Sequence, residues 1–148
     1  MAESFVLIKD NYKEVCEKYL SITKCEITSC DDQQILAGDI QFEDMRGWCL
    51  ITSLLGDNFA EDILLELSDG KRLIYCFSDE DQMDCEFLVA ENNQIIRKKY
   101  IYSDTPELDE DEGRLRCEFI KKFLHWNDID YFIGKARVRP DGLFKGKH

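Results

Sequence analysis

Between residues 24 and 102, apolar side chains recur at every second position in short runs, with tight-turn residues between the runs. This pattern limits the fold more than any other, because a period of two suits a strand buried on one face and cannot serve an amphipathic helix. Cys25, Ile27 and Ser29 begin the alternation, and residues 35–42 and 48–55 read as further strands. Residues 63–67 and 71–77 flank Ser68-Asp69-Gly70, and residues 85–90 and 94–102 flank Asn92-Asn93. Both junctions predict hairpins, since Asp-Gly and Asn-Asn tolerate the positive φ of a tight turn. Strands joined this closely pair antiparallel, so a meander sheet is expected.

Helical spacing brackets the sheet. After a short strand at residues 4–9, Asn11 is placed to cap a helix carrying Val15, Cys16, Tyr19, Leu20 and Ile22 on one face. Beyond the sheet, Leu115, Phe119, Ile120, Phe123 and Leu124 form a second apolar face. Residues 109–112 are acidic and would suit the positive end of that helix dipole. Asn127 or Asp128 starts a short further helix with Ile129, Phe132 and Ile133. The expected architecture is α+β: an antiparallel meander with an N-terminal helix and C-terminal helices packed on one face, in a single domain of residues 1–148 with a mobile basic tail at about 140–148.

The 148 residues carry a net charge of -12, and that charge is unevenly spread. Residues 1–113 hold 27 acids and 10 bases, a net -17, while residues 114–148 hold 4 acids and 9 bases, a net +5. Two clusters dominate. One is Asp79, Glu80, Asp81, Asp84 and Glu86; the other is Asp104, Glu107, Asp109, Glu110, Asp111 and Glu112, which contains no base. Taken singly, a charge run is usually a solvated loop. Taken as a surface, such clusters steer a basic partner and speed association. Direct nucleic-acid binding is excluded by the same charge, because phosphates are gripped by Lys and Arg. The basic run Arg97-Lys98-Lys99 is short and balanced by acids around it.

Other chemistry finds little footing. The seven cysteines are odd in number and include no Cys-x-x-Cys pair, so free thiols in a reducing cytoplasm are the simplest reading and no metal is assigned. An EF-hand loop begun at Asp79 would have Asp84 sixth and Ala90 twelfth; begun at Asp109 it would have Arg114 sixth. Neither supplies the glycine and glutamate that calcium loops use. His125 is the one internal imidazole, too far along a helix from Cys117 to pair with it, and no phosphate-binding or dinucleotide glycine motif occurs. No catalytic residue and no cofactor is assigned. The N-terminal segment reads as no signal peptide, and no stretch reaches the ~18 apolar residues of a membrane helix.

Three segments carry a resemblance. Trp48-Cys49-Leu50-Ile51, then residues 87–100, then Asp111-Glu112-Gly113 with Glu118 are similar to the β-hairpin and acid-Glu-Gly turn of small bacterial immunity proteins, which accompany contact-dependent growth-inhibition and polymorphic toxins. The resemblance spans roughly residues 45–120. It implies a cytoplasmic, non-enzymatic inhibitor that covers a cognate toxin domain. A nuclease-like toxin would be basic, so the acidic residues 104, 107, 109–112, 79–81 and 84 become the expected partner surface. A different class remains open: a small-ligand-binding or enzymatic domain whose pocket lies between sheet and helices, lined by Trp48, other aromatics and a thiol. An oligomerisation or adaptor module is a third reading, and oligomeric state is left open.

Overall fold

A computed structural model describes residues 2–115 and 126–144. The chain runs β1 (Ala2–Ile8), α1 (Tyr12–Thr23), β2 (Ser29–Cys30), β3 (Gln34–Ala37), β4 (Ile40–Met45), β5 (Trp48–Ser53), α2 (Glu61–Leu67), β6 (Arg72–Asp79), β7 (Asp84–Glu91), β8 (Gln94–Ile101), β9 (Glu110–Gly113) and α3 (Trp126–Val138). All nine strands join one antiparallel sheet, in the order β2-β3-β4-β5-β1-β6-β7-β8-β9. The fold is therefore α+β.

The meander expected from the sequence is interrupted once. β1 lies between β5 and β6, with Phe5 opposite both Thr52 and Cys76. Its apolar run Phe5-Val6-Leu7-Ile8 is buried throughout, as a central strand covered on both faces requires. Val6 and Ile8 point into a core with Val15, Cys16 and Tyr19 of α1 and Leu64 and Leu67 of α2. Phe5 and Leu7 point into a second core with Ile129, Phe132 and Ala136 of α3. The helices thus cover both faces, rather than the one face expected. The alternation along β6 and β7 supplies both cores, with Tyr75 and Leu88 facing one and Ile74 and Phe87 the other.

Local signals hold where a specific residue carries them. Asn11 accepts from the Lys13 N–H at 2.9 Å and caps α1, and Lys24 closes that helix with φ 61°. Asn92 and Asn93 both have positive φ in the β7–β8 turn. Residues 35–42 are two strands instead of one, because Gly38 (φ 64°) and Asp39 turn the chain between Ala37 and its partner Ile40. Of the alternation before it, only Ser29–Cys30 is strand, and Ile27 is half exposed.

Residues 63–67, expected as a strand, are α2. Leu64 and Leu67, three apart, are buried, and Glu61 and Asp62 occupy the first turn where the helix dipole favours acids. Asp69-Gly70 therefore links a helix to β6 instead of closing a hairpin. Residues 110–113 are β9. Of the helix expected to start at Leu115, the residues after Leu115 lie outside the described ones, as do Cys117, His125 and tail residues 145–148. Residues 140–144, expected to begin a mobile tail, are packed: a 3-10 turn over Pro140–Leu143 buries Pro140 and Leu143, and Asp141 pairs with Lys9 at 2.7 Å.

The helix at 61–67 sets an order of costs that a strand would reverse. Leu64→Ala should destabilise by about 2–5 kcal/mol, and Leu65→Ala by much less. Denaturant midpoints of the two variants check this, and a larger loss for Leu65→Ala would contradict the helix.

Candidate functional site

The register of the sheet brings the two acidic clusters to one end. β1, β7 and β9 start there and β5, β6 and β8 finish there, as the pairs Ala2–Asp79, Asp79–Asp84, Cys85–Ile101 and Tyr100–Glu110 require. The short turn Gly38–Asp39 between β3 and β4 reaches this end, since Ile40 pairs with Ser53, and three longer segments emerge beside it: residues 54–58 after β5, residues 79–84 between β6 and β7, and residues 102–109 between β8 and β9. Together the three longer segments hold eight carboxylates and no Lys or Arg.

Several of these acids organise the loops from within. Asp79 accepts from the Asp81 N–H at 3.1 Å and the Gln82 N–H at 3.4 Å. Asp84 accepts from the Ser103 N–H at 3.0 Å, so it links the first acidic cluster to the second. Asp109 accepts from the Tyr102 N–H at 2.7 Å. Each carboxylate uses one oxygen on backbone and keeps further acceptor sites. Glu80, Asp81, Asp104 and Glu107 are exposed.

Glu110, Asp111 and Glu112 differ. They lie in β9, opposite Tyr100, Lys99 and Lys98 of β8. Arg97 meets Asp111 at 2.6 Å, Lys99 meets Asp111 at 3.1 Å, and Lys98 meets Glu110 at 2.8 Å and also pairs with Glu61 of α2. Arg97 donates in addition to the Glu112 carbonyl at 3.1 Å. Residues with low β propensity form a strand here because opposite charges face each other across the pair. The basic run and half of the second acidic cluster are thus each other's partners. Burial pulls the Asp111 carboxyl upward, but hydrogen bonds and charge from Arg97 and Lys99 outweigh it and hold the group below the ordinary aspartate value.

Glu86, grouped with the acidic surface by sequence alone, is buried. It accepts from the Tyr75 hydroxyl at 2.6 Å, from the Tyr102 hydroxyl, and from Asn58 Nδ2 at 3.4 Å, while the Phe59 N–H donates to Tyr75 Oη at 3.1 Å. One carboxylate therefore ties two of the three loops to the sheet. Burial first, then the Glu86 charge and hydrogen bond, push the Tyr75 hydroxyl well above the ordinary tyrosine range; the Tyr102 hydroxyl is raised by burial and by Glu86 as well.

The acidic end also exposes apolar groups. Seven large apolar side chains are exposed among the described residues, and four of them, Leu54 (56%), Leu55 (72%), Met83 (44%) and Leu108 (60%), stand on these three segments. The sequence pattern did not single them out. At the opposite end, cations are paired: Lys71 with Asp10 at 3.3 Å, Arg72 with Glu91 at 2.9 Å, and Lys9 with Asp141.

Two concave features border the segment after β5, one touching Leu54 and the other Asp57 and Asn58. A cavity of about 690 Å³ between α1, α2 and the sheet is lined by Tyr19, Cys25, Glu26, Asp39, Asp57 and Asn58 among others. Another of about 470 Å³ sits over Phe5, Leu7, Met45 and Leu50, with Arg137 at its side. Trp48 lines a third, of about 380 Å³, at the opposite end beside Met45, Arg46 and Asp141, where its ring is stacked on Phe144 with centroids 6.2 Å apart. Among the described residues no three His, Cys, Asp or Glu side chains are grouped to hold a metal ion, and no helix is long and apolar enough to cross a membrane.

Comparison of the chain with protein-family models, with curated proteins and with solved structures gives no match.

Two tests follow from these contacts. Because the folded carboxyl of Asp111 titrates below its unfolded value of about 3.9, its contribution is present above that pH and is lost as pH falls through the folded value. Acid unfolding of Asp111→Asn should therefore show a smaller stability loss below pH ~4 than the parent chain. Glu86→Leu should cost about 1–3 kcal/mol by stranding two hydroxyls, and should speed amide exchange in both residues 57–60 and 102–109. Glu86→Gln should have the smaller effect on both.

Proposed function

We propose that this protein is an immunity-type inhibitor, a bacterial cytoplasmic binding protein that neutralises a cognate toxin domain through its acidic surface. One observation carries the reading: both acidic clusters meet at one end of the sheet, on segments that hold eight carboxylates and no base. A basic, nuclease-like toxin surface built to grip phosphates is complementary to such an end. No catalytic step is assigned to the inhibitor, which would act by occlusion.

The contact residues of this proposal are Asp79, Glu80, Asp81, Asp84, Asp104, Glu107 and Asp109. Glu110 and Asp111 enter it as internal partners of Lys98, Arg97 and Lys99, and exposed Glu112 sits beside them on the sheet edge. The contacts that stabilise β9 leave those charges partly neutralised, so they attract a second cation less strongly.

A second reading, a small-ligand-binding domain, is favoured by the cavity of about 690 Å³, whose walls combine Tyr19, a thiol and several polar groups. It predicts a site on the face covered by α1 and α2, bordering the segment after β5.

The deciding experiment is co-production with a basic toxin domain encoded beside this protein's gene. Growth should be restored, and association should slow as salt is raised. Glu80→Gln, Asp81→Asn, Asp104→Asn and Glu107→Gln combined should slow association at least about tenfold, while Asp111→Asn should change it far less. Unchanged association in the combined variant would overturn the acidic end as the contact surface.

A further inference from the structure

Charge alone describes half of the acidic end. Leu54, Leu55, Met83 and Leu108 are the other half, one or two on each of its three segments. β5, β1, β6, β7 and β8 are consecutive in the sheet. At about 4.8 Å per strand, the segments at the two outer strands stand about 19 Å apart. That span suits a single protein contact, for which about 800 Å² per partner is usual. Isolated exposed apolar groups need no explanation. Here, however, four of the seven among the described residues gather on segments of 19 residues in all, interleaved with carboxylates.

We infer that these four side chains are the affinity-determining contacts of the acidic end, and that its partner is a basic protein surface presenting apolar side chains between its cations. The inference rests on the acidic-end reading above and specifies the partner's chemistry. The carboxylates exclude an anionic lipid or nucleic acid as occupant, because either would bring like charge onto segments that hold eight acids and no Lys or Arg. They fit Lys and Arg. The leucines and Met83 gain nothing from a purely cationic partner, since hydrated ammonium groups bury no apolar area. A partner that supplies both satisfies both. Charge then sets the encounter rate and its salt dependence, while apolar burial sets the dissociation rate and persists at high salt.

Two synthetic peptides of equal length and charge separate these roles, one of Lys and Leu and one of Lys and Gly. They are titrated into the intact protein, with backbone amide NMR shifts as readout. The Lys/Leu peptide should bind about tenfold or more tightly than the Lys/Gly peptide, with shifts centred on residues 54–58, 79–84 and 102–109. The combined variant Leu54→Ser, Leu55→Ser, Met83→Ser and Leu108→Ser, which alters exposed groups only, should lose that advantage and still bind the Lys/Gly peptide. Equal affinity of the two peptides at the acidic end would overturn the inference and leave the acidic-end reading standing. An advantage that survives in the variant would overturn it too. If neither peptide shifts those segments, the reading itself falls with it.

Discussion

The placement of β1 governs everything else in this fold. It is the one strand that joins what would otherwise be two separate meanders, β2 to β5 and β6 to β9, and it does so by pairing along both edges. Phe5, Val6, Leu7 and Ile8 alternate between the two cores, so one short segment nucleates contacts with α1 and α2 on one face and α3 on the other. Its pairings are long-range, with Phe5 opposite residues 52 and 76. Such contacts close large loops and form only after the local hairpins can reward them. The same pairing sets Ala2 beside Asp79 and so brings the segment after β5 to the acidic end.

The chain handles its excess of acid in two distinct ways. On the β8–β9 pair, carboxylates face Lys98, Lys99 and the almost fully buried Arg97, and the attraction organises an edge strand whose residues would otherwise resist pairing. An edge built of charge also discourages unintended strand addition. On the three segments at the end of the sheet, Asp79, Asp84 and Asp109 each use one oxygen to hold backbone, and no base lies within those segments. Glu86 stands apart from both, an acid drawn inside and satisfied by Tyr75, Tyr102 and Asn58. Its position under two of the loops means that the surface proposed for partner binding is braced from the interior.

Much of this was legible residue by residue. Asn11 as a cap, Asn92-Asn93 as a turn and the period of two in β6 to β8 act over a few residues, so sequence reveals them. The misreadings share a cause. Residues 63–67 satisfy both a strand and a helix pattern, because an apolar run of five cannot distinguish the two periods; packing of Leu64 and Leu67 on the α1 side of the sheet decides for the helix. Gly38 splits one expected strand because its positive φ outweighs the apolar continuity around it. Residues 110–113 carry no strand signal of their own and become one only because Arg97, Lys98 and Lys99 face them. The exposed Leu54, Leu55, Met83 and Leu108 were invisible because exposure is a property of packing, which no local pattern records.

By itself, then, the sequence determined the α+β class, the Asn92-Asn93 turn, the capped first helix and the segregation of charge into acidic clusters. These depend on rotamer, backbone and dipole preferences of neighbouring residues. Only the tertiary structure decided that β1 is central, that helices cover both faces, that Glu86 is interior, and that Glu110 and Asp111 are partnered while the acids of residues 79–84 and 102–109 converge. Those outcomes depend on which distant strands pair, and pairing is selected by the summed burial of two cores rather than by any single segment.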